Sequence, residues 1–249
     1  MNQVSRKLPA SNMRLDKLLS HLGAATRSEC RSLLRSGRVT VNGETARDGG
    51  MTVPEGAEVT LDGVKLDTRL VRHLMLHKPA GVLTAREDSR QTTVMDLLPS
   101  VYTSLGCMPV GRLDKDTTGL LLLTTDGELA HRLIAPGRHV DKVYKARVEG
   151  ILGEEDASAF AQGIVLKDFT ALPAKLEIVS NDTALVTVQE GKYHQVKRMF
   201  SARGKPVAAL HRLSFGPLKL DESLAPGAFR ELTGEEIAAL YAAAGMTHE

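Results

Sequence analysis

Gly111-Arg112-Leu113-Asp114-Lys115-Asp116-Thr117-Thr118-Gly119 runs without a break into Leu120-Leu121-Leu122-Leu123. Charged and hydroxyl side chains bracketed by glycines give way to a short apolar run, the pattern of a buried strand. Such a junction holds a polar loop rigidly at the edge of a core, as a functional loop requires. Asp114 and Asp116 admit three chemistries. They could be a general acid and base, as in sugar hydrolysis. They could be hard oxygen ligands for a divalent ion at D-x-D spacing. One alone could be a reactive carboxylate whose charge Arg112 or a distant base holds in place. The structural alternative is a carboxylate that caps a turn through backbone amides.

Outward from this loop the chain reads as short elements separated by turns. Thr125-Asp126-Gly127-Glu128 is a capping-box pattern that opens a helix through Leu133, with Pro136 as its stop. Upstream, Leu74-Met75-Leu76 forms a buried strand that enters the turn Lys78-Pro79-Ala80-Gly81, and Val82-Leu83-Thr84 continues it. Further strands are predicted at Val143–Val148, Lys175–Val179 and Ala184–Glu190, and helices at Glu154–Gln162, Tyr193–Arg203 and Glu235–Ala244. The order lacks a regular βαβ rhythm. The predicted class is therefore α+β, with a mixed, mostly antiparallel sheet and helices packed on it over residues 73–245. No internal repeat and no glycine-rich nucleotide loop is present.

Residues 13–72 form a different module. Leu15, Leu18, Leu19 and Leu22 give one apolar helical stripe, stopped at Gly23. Thr26-Arg27-Ser28-Glu29 is a capping box for a second helix that runs to about Ser36, with Leu33 and Leu34 facing inward. Arg27, Arg31, Arg35 and Arg38 then form one guanidinium row on that helix and just past it. Arg38-Val39-Thr40-Val41 is a short strand and Asn42-Gly43 a tight-turn signal. A second strand near Glu58–Leu61 ends at Asp62-Gly63, and residues 64–72 link to the next module, with room for one more short strand.

Charge separates the two modules. Residues 1–47 carry nine Lys or Arg against three acids, a balance of +6, so the rest carries −4 within a total of +2. A basic module of this kind seeks a polyanion. An arginine row fits phosphates spaced along RNA, because each guanidinium makes forked, charge-assisted bonds. Aromatic residues are scarce there, so backbone shape rather than base stacking is the expected target.

Composition closes other routes. The chain is 42% hydrophobic and 25% charged, as globular proteins are. No run of about 18 apolar residues exists, which removes a helical membrane span. MNQVSRKLPASN has neither a hydrophobic stretch nor a small-residue cleavage site, so a cytoplasmic location is expected. Cys30 and Cys107 are too few and too far apart for a disulfide framework or zinc knuckle, and the eight histidines show no metal spacing.

Arg14-Leu15-Asp16-Lys17-Leu18-Leu19 and Gly37-Arg38-Val39-Thr40-Val41-Asn42-Gly43 resemble the S4 RNA-binding domain. That resemblance implies RNA contacts at Arg14, Lys17, Arg27, Arg31, Arg35 and Arg38. GRLDKDTTGLLLLTTDGELAHRL (111–133) resembles the signature of pseudouridine synthases of the RsuA/RluB/RluE/RluF group. The likeness continues through Lys142-Val143-Tyr144, Glu190-Gly191-Lys192-Tyr193-His194-Gln195-Val196-Lys197-Arg198-Met199, Leu210-His211-Arg212 and the closing LAPGAFRELTGEEI. It implies Asp114 as the catalytic residue, Tyr144 stacked on a flipped uracil and Lys197 as the cation beside the carboxylate. Leu210 would close the pocket, Arg112 would bind phosphate or orient the loop, and Arg198, about 100° round the helix from Lys197, would face phosphate.

The implied activity is isomerisation of uridine to pseudouridine in ribosomal RNA. The run Tyr193–Phe200 and the closing segment point to 16S RNA in an assembling small subunit, with the protein acting as a monomer. Large-subunit 23S RNA and a non-enzymatic assembly role are the alternatives. Product and substrate contain the same atoms, so no cofactor or metal is expected.

Overall fold

The computed structural model describes residues 13–247, so the export reading of the first twelve residues lies outside the described residues. The chain divides into two compact units. One comprises the described residues up to Val71 together with Pro99–Gly106; the other comprises Arg72–Leu98 and the chain from Cys107 onward.

The first unit contains β1 (Met13–Arg14), α1 (Leu15–His21), α2 (Arg27–Arg35), β2 (Val39–Val41), β3 (Glu44–Thr45), β4 (Thr52–Val53), β5 (Val59–Leu61), β6 (Val64–Lys65) and the short α3 (Ser100–Ser104). Four antiparallel strands lie in the order β3-β2-β5-β6, and β1 pairs with β4. Asn42 and Gly43 both have positive φ, which gives the β2–β3 turn the backbone twist of a two-residue hairpin. Thr26 and Glu29 close the capping box at the start of α2. One side of α2 buries Cys30 and Leu34 against Leu15, Leu18, Leu19, Val39 and Val59, while Leu33 is only half-buried. Arg27, Arg31 and Arg35 are exposed.

The second unit is built on one mixed sheet. Its strands are β7 (His73–Lys78), β8 (Met108–Pro109), β9 (Thr118–Thr124), β10 (Lys142–Val148), β11 (Lys175–Ser180), β12 (Thr183–Val188), β13 (Val207–Phe215), β14 (Leu218–Lys219) and β15 (Phe229–Glu231). The main path runs β11-β12-β10-β13-β9-β7-β15, with β14 on β13 and β8 on β9. Every pairing among these described strands is antiparallel except β9 with β13. The helices are α4 (Gly127–Ile134), α5 (Glu154–Gln162), α6 (Gln195–Ala202) and α7 (Gly234–Ala243). Leu120 and Leu122 of β9 pack with Leu129 and Leu133 of α4 and with Leu240 and Tyr241 of α7. The mixed, mostly antiparallel class is thus present.

Four sequence expectations need correction. Val82–Thr84 does not extend β7; the chain turns away and keeps only an isolated bridge between Leu83 and Thr93. The cap of α4 is Asp126 rather than Thr125, because its Oδ1 accepts from the amides of both Glu128 and Leu129. Helix α6 begins at Gln195, two residues later than expected, since His194 takes a left-handed backbone (φ 50°, ψ 28°). The nine-residue β13 was not foreseen at all.

Candidate active site

The loop between β8 and β9 carries Arg112, Asp114 and Asp116, and much of its shape comes from backbone and buried groups of the segment after β7. The Thr117 amide donates to the Asp114 carbonyl at 3.1 Å, which closes a tight turn. The Gly81 amide donates to the Lys115 carbonyl at 2.8 Å. Thr84 Oγ1 donates to the Leu113 carbonyl and stands 3.2 Å from the Leu113 amide. Lys78, wholly buried at the end of β7, donates from Nζ to the carbonyls of Pro79 (3.0 Å), Lys115 (3.2 Å) and Thr117 (2.9 Å). The loop is therefore fixed from below before any side chain on its outer face is considered.

Helix α6 supplies the opposite wall. Lys197 Nζ lies 3.0 Å from Asp114 Oδ2 and 2.5 Å from Asp116 Oδ1. His194 Nε2 lies 3.4 Å from Asp114 Oδ1. One carboxylate thus meets an ammonium on one oxygen and an imidazole at the other. The start of α6 is anchored by Glu190, whose Oε2 accepts from the Leu172 amide (2.8 Å) and from Gln195 Nε2 (2.9 Å). Gln195 Oε1 in turn accepts from the Lys192 amide at 3.1 Å.

Tyr144 and Leu210 come from the neighbouring strands β10 and β13. Both are buried, and Tyr144 pairs in register with Arg212. Arg212 is almost fully buried. Its Nε donates to the Leu120 carbonyl (2.8 Å), Nη1 stands 3.5 Å from the Tyr144 hydroxyl, and the guanidinium lies over the Phe215 ring. Its Nη2 and the buried Thr117 Oγ1 have no hydrogen-bond partner among the described residues. Arg112, Asp114, Thr117, Tyr144, His194, Lys197 and Leu210 all line one solvent-open cleft.

The charges are strongly coupled. The hydrogen bond from Lys197 holds the Asp116 carboxyl below its ordinary range. Partial burial works against the Lys197 ammonium, but its bonds to Asp116 and Asp114 outweigh this and raise its pKa. Burial pulls Lys78 down to about 8, although Asp116 and Asp114 both favour its charged form. A cleft with an anion clamped by a cation, beside a tyrosine and a leucine, can hold a flat apolar ring with polar edges against a reactive carboxylate.

Arg112, Asp114, Tyr144, Lys197 and Leu210, singled out in the sequence, therefore share one cavity. Arg198 does not line it. It forms an ion pair with Asp168, and its guanidinium lies 5.1 Å from the centre of the Phe169 ring. In the first unit Arg14 pairs with Asp16 (2.6 Å) and Arg38 with Asp62 (2.5 Å). Lys17, Arg27, Arg31 and Arg35 are exposed. Sequence reasoning missed Lys78, Thr117, His194 and Arg212 as parts of the site. Thr117, His194 and Arg212 lie inside the segments that carry the family resemblance, which gave them no role, and no local signal marked Lys78.

Residues 72–202 match the family described as RNA pseudouridylate synthase, and residues 13–59 match the S4 domain. The chain belongs to the RNA pseudouridine synthase family and carries an S4 domain ahead of its catalytic unit. It is 46% identical over 231 residues to the RNA pseudouridine synthase YtzG of Bacillus subtilis, covering 90% of this chain and 97% of that protein. It is 41% identical over 231 residues to the ribosomal small subunit pseudouridine synthase A of Vibrio cholerae, covering 92% of this chain and 100% of that one. A crystal structure of a pseudouridylate synthase matches with a TM-score of 0.65 at 37% identity, over 92% of this chain and 99% of that one.

Proposed function

We propose that this chain isomerises a uridine of small-subunit (16S) ribosomal RNA to pseudouridine, with Asp114 as its catalytic carboxylate. The observation that carries the residue assignment is the 3.0 Å contact between Lys197 Nζ and Asp114 Oδ2 in the cleft that Tyr144 and Leu210 also line. The substrate assignment is supported by relatives named ribosomal small subunit pseudouridine synthase A, among them that of Vibrio vulnificus, 44% identical over 90% of this chain.

The reaction breaks the bond between uracil N1 and the sugar C1′, turns the base and joins C5 to C1′. N1 gains a proton and C5 gives one up, so substrate and product contain the same atoms and no electron acceptor is required. A uridine in structured RNA must first leave its stack, which costs a few kcal/mol. Tyr144 then stacks on the base and Leu210 closes the pocket behind it. Asp114 acts at the sugar or ring, with the Lys197 ammonium 3.0 Å from its Oδ2. The same ammonium stands between Asp114 and Asp116 where a divalent ion would have to sit, so the pair reads as a charge clamp. Arg112 at the mouth of the cleft orients the loop or takes a phosphate. Lys17, Arg27, Arg31 and Arg35 bind the RNA backbone, joined by Arg14, Arg38 and Arg198 once RNA draws them from their carboxylates.

The protein acts as a monomer in the cytoplasm on RNA of an assembling subunit. Among the described residues no helix is long and apolar enough to cross a membrane. The test is tritium release from C5-tritiated uridine in small-subunit and large-subunit RNA transcripts, followed by mass-spectrometric mapping. Release from the small-subunit transcript is expected. Release from the large-subunit transcript alone would overturn the substrate assignment, and binding without release from either would favour an assembly role.

A further inference from the structure

Tyr193 sits beside the catalytic cleft and is used by nothing described so far. It is 72% exposed, which is unusual for so large a ring with no partner element to cover it. Yet it is not loose on the surface. Its ring stacks on His194 at 3.8 Å between centroids and 16° between planes. His194 is itself held. Its backbone adopts the left-handed region, which non-glycine residues enter at a cost and which clusters at functional positions. Its Nε2 reaches 3.4 Å from Asp114 Oδ1.

A continuous path therefore leads from the Asp114 carboxylate across the imidazole to an open phenol face. The surroundings suit a nucleic-acid strand. Lys192, on the cleft wall, places Nζ 3.9 Å from the centre of the Phe169 ring, and Arg198 lies over the same ring at 5.1 Å. Aromatic faces interleaved with cations are the means by which single-stranded RNA is held without reading its sequence, each base stacking while phosphates meet the cations. Only nine aromatic residues of the Phe and Tyr types exist in this chain, four Tyr and five Phe, so placing two of them at this rim uses a scarce resource.

We propose that the Tyr193–His194 stack is a second base-binding subsite, which takes the nucleobase of a nucleotide adjacent to the flipped uridine. The assignment rests on the uridine-isomerising reading of the cleft. Flipping a uridine leaves its neighbours unstacked on one side, and the open face of Tyr193 replaces the lost stacking partner. The subsite therefore stabilises the extruded RNA conformation and contributes to binding rather than to bond breaking.

The test uses the full-length protein and a small-subunit RNA transcript carrying C5-tritiated uridine, once the target uridine has been mapped. Tyr193→Ala should raise KM roughly 5- to 100-fold, the range of a lost base–aromatic stack, while kcat stays within about twofold. Tyr193→Phe, which keeps the ring and loses only the hydroxyl, should restore the wild-type KM. An RNA with an abasic site at one flanking position should raise the wild-type KM to match. Tyr193→Ala should then add nothing further, because both changes delete the same contact. Unchanged KM for Tyr193→Ala on intact RNA would overturn the subsite, as would fully additive effects of the variant and the abasic site at both flanking positions. Absence of tritium release by the wild-type protein would instead strike the reading of the cleft itself, so the two failures are distinguishable.

Discussion

Gly119 and Arg212 lie in register on the parallel strands β9 and β13, so close that a methyl group on Gly119 would stand 2.2 Å from the Arg212 carbonyl oxygen. No side chain fits there, and the φ of +108° at Gly119 excludes ordinary L residues as well. This contact joins the strand that leaves the Asp114 loop to the strand that carries Leu210. Gly119→Ala should destabilise the fold by about 2–4 kcal/mol, since backbone rather than a flexible side chain must move. Urea denaturation reads the change, and a midpoint equal to wild type would contradict the β9–β13 register.

Lys78 offers a second check, on the support beneath the loop. Lys78→Met leaves two loop carbonyls, those of Lys115 and Thr117, without their shared donor. A loss of about 1–3 kcal/mol is expected at pH 7, with a lower kcat as the loop loosens. The pH dependence has a definite sign. The pKa of Lys78 falls from 10.5 in the unfolded chain to about 8 when folded, so between those values the unfolded chain binds more protons and wild-type stability rises with pH. The variant should lack that rise. Parallel stability–pH slopes for the two proteins between pH 8 and 10 would rule out the buried amine as placed.

Lys197 should matter far more than Asp116. Lys197→Met removes the cation from Asp114, and kcat should fall roughly 100- to 1000-fold, the scale seen when one preorganised electrostatic partner is lost. Lys197→Arg should recover part of it. Asp116 is three-quarters exposed, and Asp116→Asn should change kcat by no more than about fivefold. Single-turnover rates decide the matter. Equal losses for the Lys197 and Asp116 variants would show that the two acids act as a pair.

On the S4 domain, Arg31 and Arg35 face solvent with no carboxylate in ion-pair range among the described residues. Replacing both by Gln should weaken RNA binding and flatten the plot of log Kd against log salt by about 1.5, while turnover at saturating RNA stays nearly constant. An unchanged slope would reduce the row to solvated surface.

Much of this architecture was legible because local patterns agreed with tertiary ones. The apolar run after Gly119 is bounded by turn residues and became β9, and the acids after Gly153 open α5 at the expected residue. The loop stood out because polar residues abut that apolar run. What stayed hidden depends on distant chain. In VAALHRLSF a buried arginine interrupts the apolar pattern, and it is tolerated only because Leu120, Tyr144 and Phe215 surround it. Nothing near Lys78 announces a buried amine, since two of its three acceptors lie more than thirty residues away. Thr125 and Asp126 are both capping types; geometry alone decides that Asp126 reaches the free amides.

The most direct measurement of the whole account is tritium release by Asp114→Asn on C5-tritiated small-subunit RNA, with RNA affinity measured alongside. Asparagine keeps the size of the side chain and removes its charge, so the fold and the S4 contacts should persist. Release should fall to background while Kd stays within about threefold of wild type. Release at an undiminished rate would contradict Asp114 as the reactive group.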